Sequence, residues 1–107
     1  MEWAPVNREK FESILAEETE ALRPHVKRLY EQYAVSPFQQ PCLREQNSAT
    51  EHVFVVAKTG EHLLYYDDVE EDFGVAIPDG DGVLRNWGNY GPLGRAVLVL
   101  DEIASAV

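Results

Sequence analysis

Residues 53–66, VFVVAKTGEHLLYY, are the stretch that most limits what this chain can become. Val53–Ala57 is an uninterrupted apolar, largely β-branched run, the pattern of a strand covered on both faces. Thr59-Gly60-Glu61 supplies a tight turn, and Leu63–Tyr66 returns as a second strand. A hairpin of this kind is not stable alone in water, so it demands further strands and a covering layer.

The flanking segments supply both. Glu71–Ile77 is predicted as a third strand with Phe73, Val75 and Ile77 on one face, and Val83–Trp87 as a fourth. Between them Pro78-Asp79-Gly80-Asp81-Gly82 is turn chemistry, because glycine accepts positive φ and aspartate caps its own turn. Pro92 suits the first turn of a helix, and Leu93, Ala96, Val97, Leu100, Ile103, Ala104 and Val107 recur at helical spacing. At the other end, residues 7–34 carry Phe11, Ile14, Leu15, Leu22, Val26, Leu29, Tyr30 and Tyr33 on one helical face, with Asn7 as N-cap. Pro24 interrupts that pattern, giving either one kinked helix or two helices. Glu17, Glu18 and Glu20 are expected to face solvent. Val35–Thr50, with two prolines and a polar tail, reads as an irregular connection.

The fold expected is α+β: an N-terminal kinked or paired helix, a four-stranded antiparallel meander, and a C-terminal helix packed on the sheet. At 107 residues the chain, 1–107, is expected to be a single domain. Leu29, Val53, Val55, Leu63, Phe73, Val75, Val97 and Leu100 are expected to share one core. The longest apolar runs fall far below the roughly 20 residues that cross a bilayer, so no membrane span is expected. The N-terminus MEWAPVNREK shows no apolar stretch behind a basic start, and a single cysteine, Cys42, leaves no internal disulfide to form. A cytoplasmic location is the expectation.

Charge bears on function more than on fold. The formal net charge is −10, with Lys and Arg numbering 9 against 19 Asp and Glu. From Asp67 to Asp81 seven carboxylates fall together with no Lys or Arg: Asp67, Asp68, Glu70, Glu71, Asp72, Asp79 and Asp81. Such a field attracts a basic surface and repels phosphate, which disfavours nucleic acid as a partner. The run Asp67–Asp72 also follows Tyr65-Tyr66 and precedes Phe73, and carboxylates rimmed by aromatic surface suit Arg and Lys side chains. Tyr65, Tyr66, Asp67, Asp68, Glu70, Glu71 and Asp72 are therefore the candidate partner-binding residues. The alternative reading is a solvated connection between strands. Trp87, Asn89 and Tyr90, among glycines, form a second candidate surface, with Trp87 alternatively plugging the core.

Catalytic and metal readings are weaker. The DGDG turn departs from an EF-hand loop, since Ile77 and Gly88 occupy the positions of the first and last ligands. His52 falls across the hairpin from Asp67 or Asp68, depending on turn length, which is a His–carboxylate pair or an ordinary cross-strand contact. Cys42 has no catalytic signature around it and lies in an acidic chain that suppresses the thiolate. No phosphate loop is present. No cofactor, metal or catalytic set is assigned.

In charge and size alone the chain resembles small acidic bacterial proteins that bind and inhibit a basic toxin or nuclease; no motif carries the likeness. The function expected is a non-catalytic binding or inhibitor module for a basic protein partner. The alternatives are a self-associating structural or regulatory subunit, such as a homodimer joined through a sheet edge, and a small enzyme using His52 with Asp67 or Asp68.

Overall fold

The computed structural model describes residues 8–43, 50–84 and 88–106. Along the chain run α1 (Arg8–Glu20), α2 (Pro24–Tyr33), β1 (Ala34–Leu43), β2 (Thr50–Thr59), β3 (His62–Asp67), β4 (Asp72–Ala76), β5 (Asn89–Gly91) and α3 (Leu93–Ser105). The five strands form one antiparallel sheet in sequence order, with α3 packed upon it. This is an α+β architecture.

Pro24 breaks the N-terminal helix rather than kinking it. Arg23 adopts extended geometry at the N-cap, and Pro24 opens α2 with its missing N–H where no partner is needed. Asn7, expected to cap α1, lies outside the described residues. Tyr33 at the end of α2 donates to Asp101 Oδ1 at 2.7 Å, which ties α2 to α3.

Two expectations about strands are corrected. The segment read as an irregular connection contains β1, a ten-residue strand along β2 from Ala34↔Ala57 to Leu43↔Thr50. Its prolines are tolerated because β1 is an edge: Pro41 turns its carbonyl outward to Leu84 N–H at 3.0 Å, so its absent donor also faces away from β2. The sheet has five strands rather than four, and its last, β5, is Asn89–Gly91, past the Val83–Trp87 range expected for the final strand. Within that range Leu84 makes an isolated parallel bridge with Cys42, and residues 85–87 lie outside the described residues.

That bridge reveals the shape of the sheet. Leu84 is bonded to the outer edge of β1, while Gly88 accepts Val75 N–H at 2.9 Å beside β4. In a flat sheet these places would be five strand spacings apart, about 24 Å. Four residues of chain reach at most about 14 Å. The sheet is therefore strongly curled, with one face concave and the other covered by helices.

Strand alternation divides the core accordingly. Phe54, Val56, Leu64, Tyr66, Phe73 and Val75 meet Phe11, Val26, Tyr30, Leu93, Ala96, Val97 and Leu100 from the helices. Cys42, Val53, Val55, Leu63, Tyr65, Ala76 and Leu84 fill the concave side. The eight residues expected to share one core thus split, with Val53, Val55 and Leu63 in the second cluster. A bulge between Val55 and Ala57 lets Val56 and Ala57 both join the helix side. Burying a large apolar side chain contributes roughly 1.5–3 kcal/mol, so both clusters matter to stability. Ile77, expected beside Phe73 and Val75, lies past the end of β4 and is exposed.

Candidate functional site

Tyr65 and Tyr66 leave β3 on opposite faces. Tyr65 points into the curl and is fully buried. Its hydroxyl donates to Asn89 Oδ1 at 2.8 Å and accepts Gly88 N–H at 3.2 Å. Asn89 in turn donates from Nδ2 to Asp67 Oδ2 at 3.2 Å. Burial pushes the Tyr65 pKa well above its ordinary value, against the pull of the Gly88 N–H and with a further push from the Asp67 carboxylate. Gly74 makes this seam fit: a Cβ there would meet Gly88 O at 2.5 Å and the Tyr65 hydroxyl at 2.6 Å.

Asp67 belongs to the same seam, 1% exposed. Its Oδ1 accepts the backbone N–H groups of Val69 at 3.0 Å and Glu70 at 3.3 Å, the bonding of an aspartate that shapes the turn following it. Tyr65 and Asp67 are thus framework, correcting their place in the expected partner surface. Both fall on the concave face because residues two apart share a side of a strand.

What Asp67 holds out is the loop between β3 and β4, closed by the pair Asp67↔Asp72. Glu70 and Glu71 are exposed, Asp68 and Asp72 half-buried. Val69, between the carboxylates, is 47% exposed. Glu71 sits at φ 56°, in the left-handed region that favours glycine and asparagine.

Tyr66 goes the other way. It is only 5% exposed, its ring tilted against Phe73 with centroids 5.0 Å apart. It forms the floor of a groove of about 410 Å³ with Ile14 and Phe73, walled by Glu18, Glu71 and Asp72. The Tyr66 hydroxyl has no hydrogen-bond partner among the described residues. Every fully enclosed side-chain polar atom described does have one, so this hydroxyl opens into the groove. Burial raises its pKa first, and Glu71, Asp68, Asp67 and Glu18 raise it further. Glu18 was expected to face solvent. Instead its Oε1 accepts Leu93 N–H at 2.9 Å, capping α3 from α1, and the residue also lines the groove. The signal for it was present, since Glu18 falls in the Phe11, Ile14, Leu15, Leu22 stripe where periodicity reserves an apolar place.

The remaining candidates are scattered. Trp87 lies outside the described residues. Asn89 is committed to Tyr65 and Asp67, while Tyr90 is 37% exposed on β5. His52 is exposed and pairs with Pro41 on β1. By strand alternation it shares a face with Phe54, whereas Asp67 takes the face opposite with Tyr65, so a His52–Asp67 couple is ruled out. Cys42 is fully buried on β1 rather than in a loop. In the DGDG turn, Asp79 Oδ1 accepts the N–H groups of Asp81 and Val83 at 2.9 and 3.1 Å, the bonding of a self-capped turn. Among the described residues no three of His, Cys, Asp and Glu converge to hold a metal ion, and no helix is long and apolar enough to cross a membrane.

No family model, curated protein or solved structure matches the chain. The site's chemistry is that of a fixed anionic surface with an apolar floor, suited to holding a cation.

Proposed function

We propose that the protein is a non-catalytic binding or inhibitor module whose β3–β4 turn and adjoining groove recognise a basic protein. The observation that carries this reading is the turn's construction. Buried Asp67 fixes a loop that presents Asp68, Glu70, Glu71 and Asp72 around an exposed Val69. Glu71 keeps a carboxylate where glycine would sit without strain; a left-handed residue costs about 1–2 kcal/mol. Strain of this kind gathers at sites retained for function. The clustered charge serves encounter and specificity, and Val69 with the groove floor supplies apolar contact. Against self-association through the sheet edge stands Pro41, which blunts the outward side of β1.

The test is capture of partners from the native host on the immobilised protein, followed by elution over a salt gradient. The expected result is a basic protein released as salt screens the attraction, with association that slows as ionic strength rises. A captured partner that is itself acidic, or one indifferent to salt, overturns the reading.

A further inference from the structure

We infer that the groove between α1 and the β3–β4 turn is a receptor for a single arginine side chain of that basic partner. The inference rests on the reading above and assigns its point of contact. Three observations support it. The Tyr66 side chain is 5% exposed, yet its hydroxyl has no partner among the described residues and opens into the groove. Open to the groove and bonded by no group among the described residues, it can take a donor from a ligand in place of water. Next, carboxylates stand on both sides: Glu18 on α1, and Glu71 with Asp72 on the turn. Among the described residues no three of His, Cys, Asp and Glu converge to grip a metal ion, whereas a broad cation can meet carboxylates set apart on α1 and the turn. Finally, the floor of Ile14, Tyr66 and Phe73 is apolar, which suits a methylene stem and a flat, weakly hydrated head.

Arginine fits these conditions better than lysine. Its guanidinium is planar, stacks on aromatic surface and carries five donors fanned in one plane. Those donors can serve Glu71 and Asp72 on the turn, Glu18 on α1, and the Tyr66 hydroxyl. Lysine offers a compact, strongly hydrated charge that would leave some of these acceptors to water.

The experiment is a titration of the full chain, followed by amide NMR at low salt, with N-acetyl-L-arginine amide and separately with N-acetyl-L-lysine amide. The expected result is saturable shifts centred on Ile14, Tyr66, Phe73 and Gly91, with the arginine probe bound several-fold more tightly. Tyr66→Phe should weaken the arginine probe about tenfold, as for a lost hydrogen bond to a charged group. Its melting temperature should stay that of the wild type. Glu71→Gln, on the exposed wall, makes the same test without touching the core. Glu31→Gln, exposed on α2 and outside the groove, should change binding less than twofold. Shifts centred on Val69 and Glu70, equal affinity for both probes, or indifference to Tyr66→Phe and Glu71→Gln would overturn the inference. Capture of a salt-sensitive basic protein undiminished by those two variants would also overturn it, leaving the acidic turn as the contact. Arginine probe seated in the groove with no salt-sensitive basic partner would uphold the receptor and remove the partner reading instead.

Discussion

On the concave face of the sheet every polar group near Tyr65 is committed to the protein itself, and on the helix-covered face Tyr66 is left with an open hydroxyl. The two tyrosines are adjacent, equally apolar in bulk and both largely buried. Their difference comes from strand parity and from what each face meets. The concave side closes on itself through Gly74, Gly88 and Asn89, while the other side ends at a groove whose walls are carboxylates. Within one β-strand, then, a bonded framework residue and a groove-lining residue are built from the same residue type one position apart.

Several substitutions break or sharpen this contrast. The largest effect belongs to Val55→Asp, which places an unpaired charge in the concave cluster where Val55 is fully buried. A penalty of several kcal/mol is expected, enough to abolish the cooperative thermal transition. Gly74→Ala attacks the seam rather than the packing, since its Cβ would press on Gly88 O and the Tyr65 hydroxyl. A loss of about 2–3 kcal/mol in denaturant unfolding is expected, while the same change at Gly80, with open space around it, should cost far less.

Tyr65→Phe leaves Gly88 N–H and Asn89 without their partner and should cost about 1–2 kcal/mol. It should also change the response to pH. Burial raises the folded-state pKa of Tyr65 above the ordinary 10.0 that the unfolded chain retains. The stability this confers is complete below about pH 10 and is lost as pH rises through the folded-state pKa, by up to about 1.4 kcal/mol per pH unit. Tyr30, raised by burial, acts in the same direction. Melting curves from pH 9 to 11 should fall less steeply for Tyr65→Phe than for the wild type; an identical slope would remove Tyr65 from the seam. The smallest effect is a gain. Glu71→Gly relieves the left-handed strain and should stabilise by about 0.5–1 kcal/mol while weakening the acidic turn.

Much of the framework was legible because its signals are local. The β2–β3 hairpin, β4 and α3 follow from alternation and helical spacing within about a dozen residues each. β1 was not, because Pro37 and Pro41 are loop signals everywhere except on a sheet edge, and which strand is the edge is settled only by tertiary pairing. β5 escaped for a similar reason: three residues between Gly88 and Pro92 carry no pattern and are strand only because β4 lies beside them. In the site, the acidic run was plain in the sequence, but its division of labour was not. Asp67 differs from Asp68 only in parity, and parity needs the register, which the bulge between Val55 and Ala57 shifts. Glu18 joins the groove from a helix nearly fifty residues away in sequence, and only its place in an apolar stripe hinted at burial.

The acidic turn is tested most directly by the association rate of the captured partner with wild type and with a Glu70→Lys/Glu71→Lys double variant, at low and moderate ionic strength. Both positions lie in an exposed turn, so the variant should melt as the wild type does. Association should slow by about an order of magnitude or more at low salt, with the gap narrowing as ionic strength screens the field. An association rate that ignores both the charge reversal and the salt would contradict the turn's role.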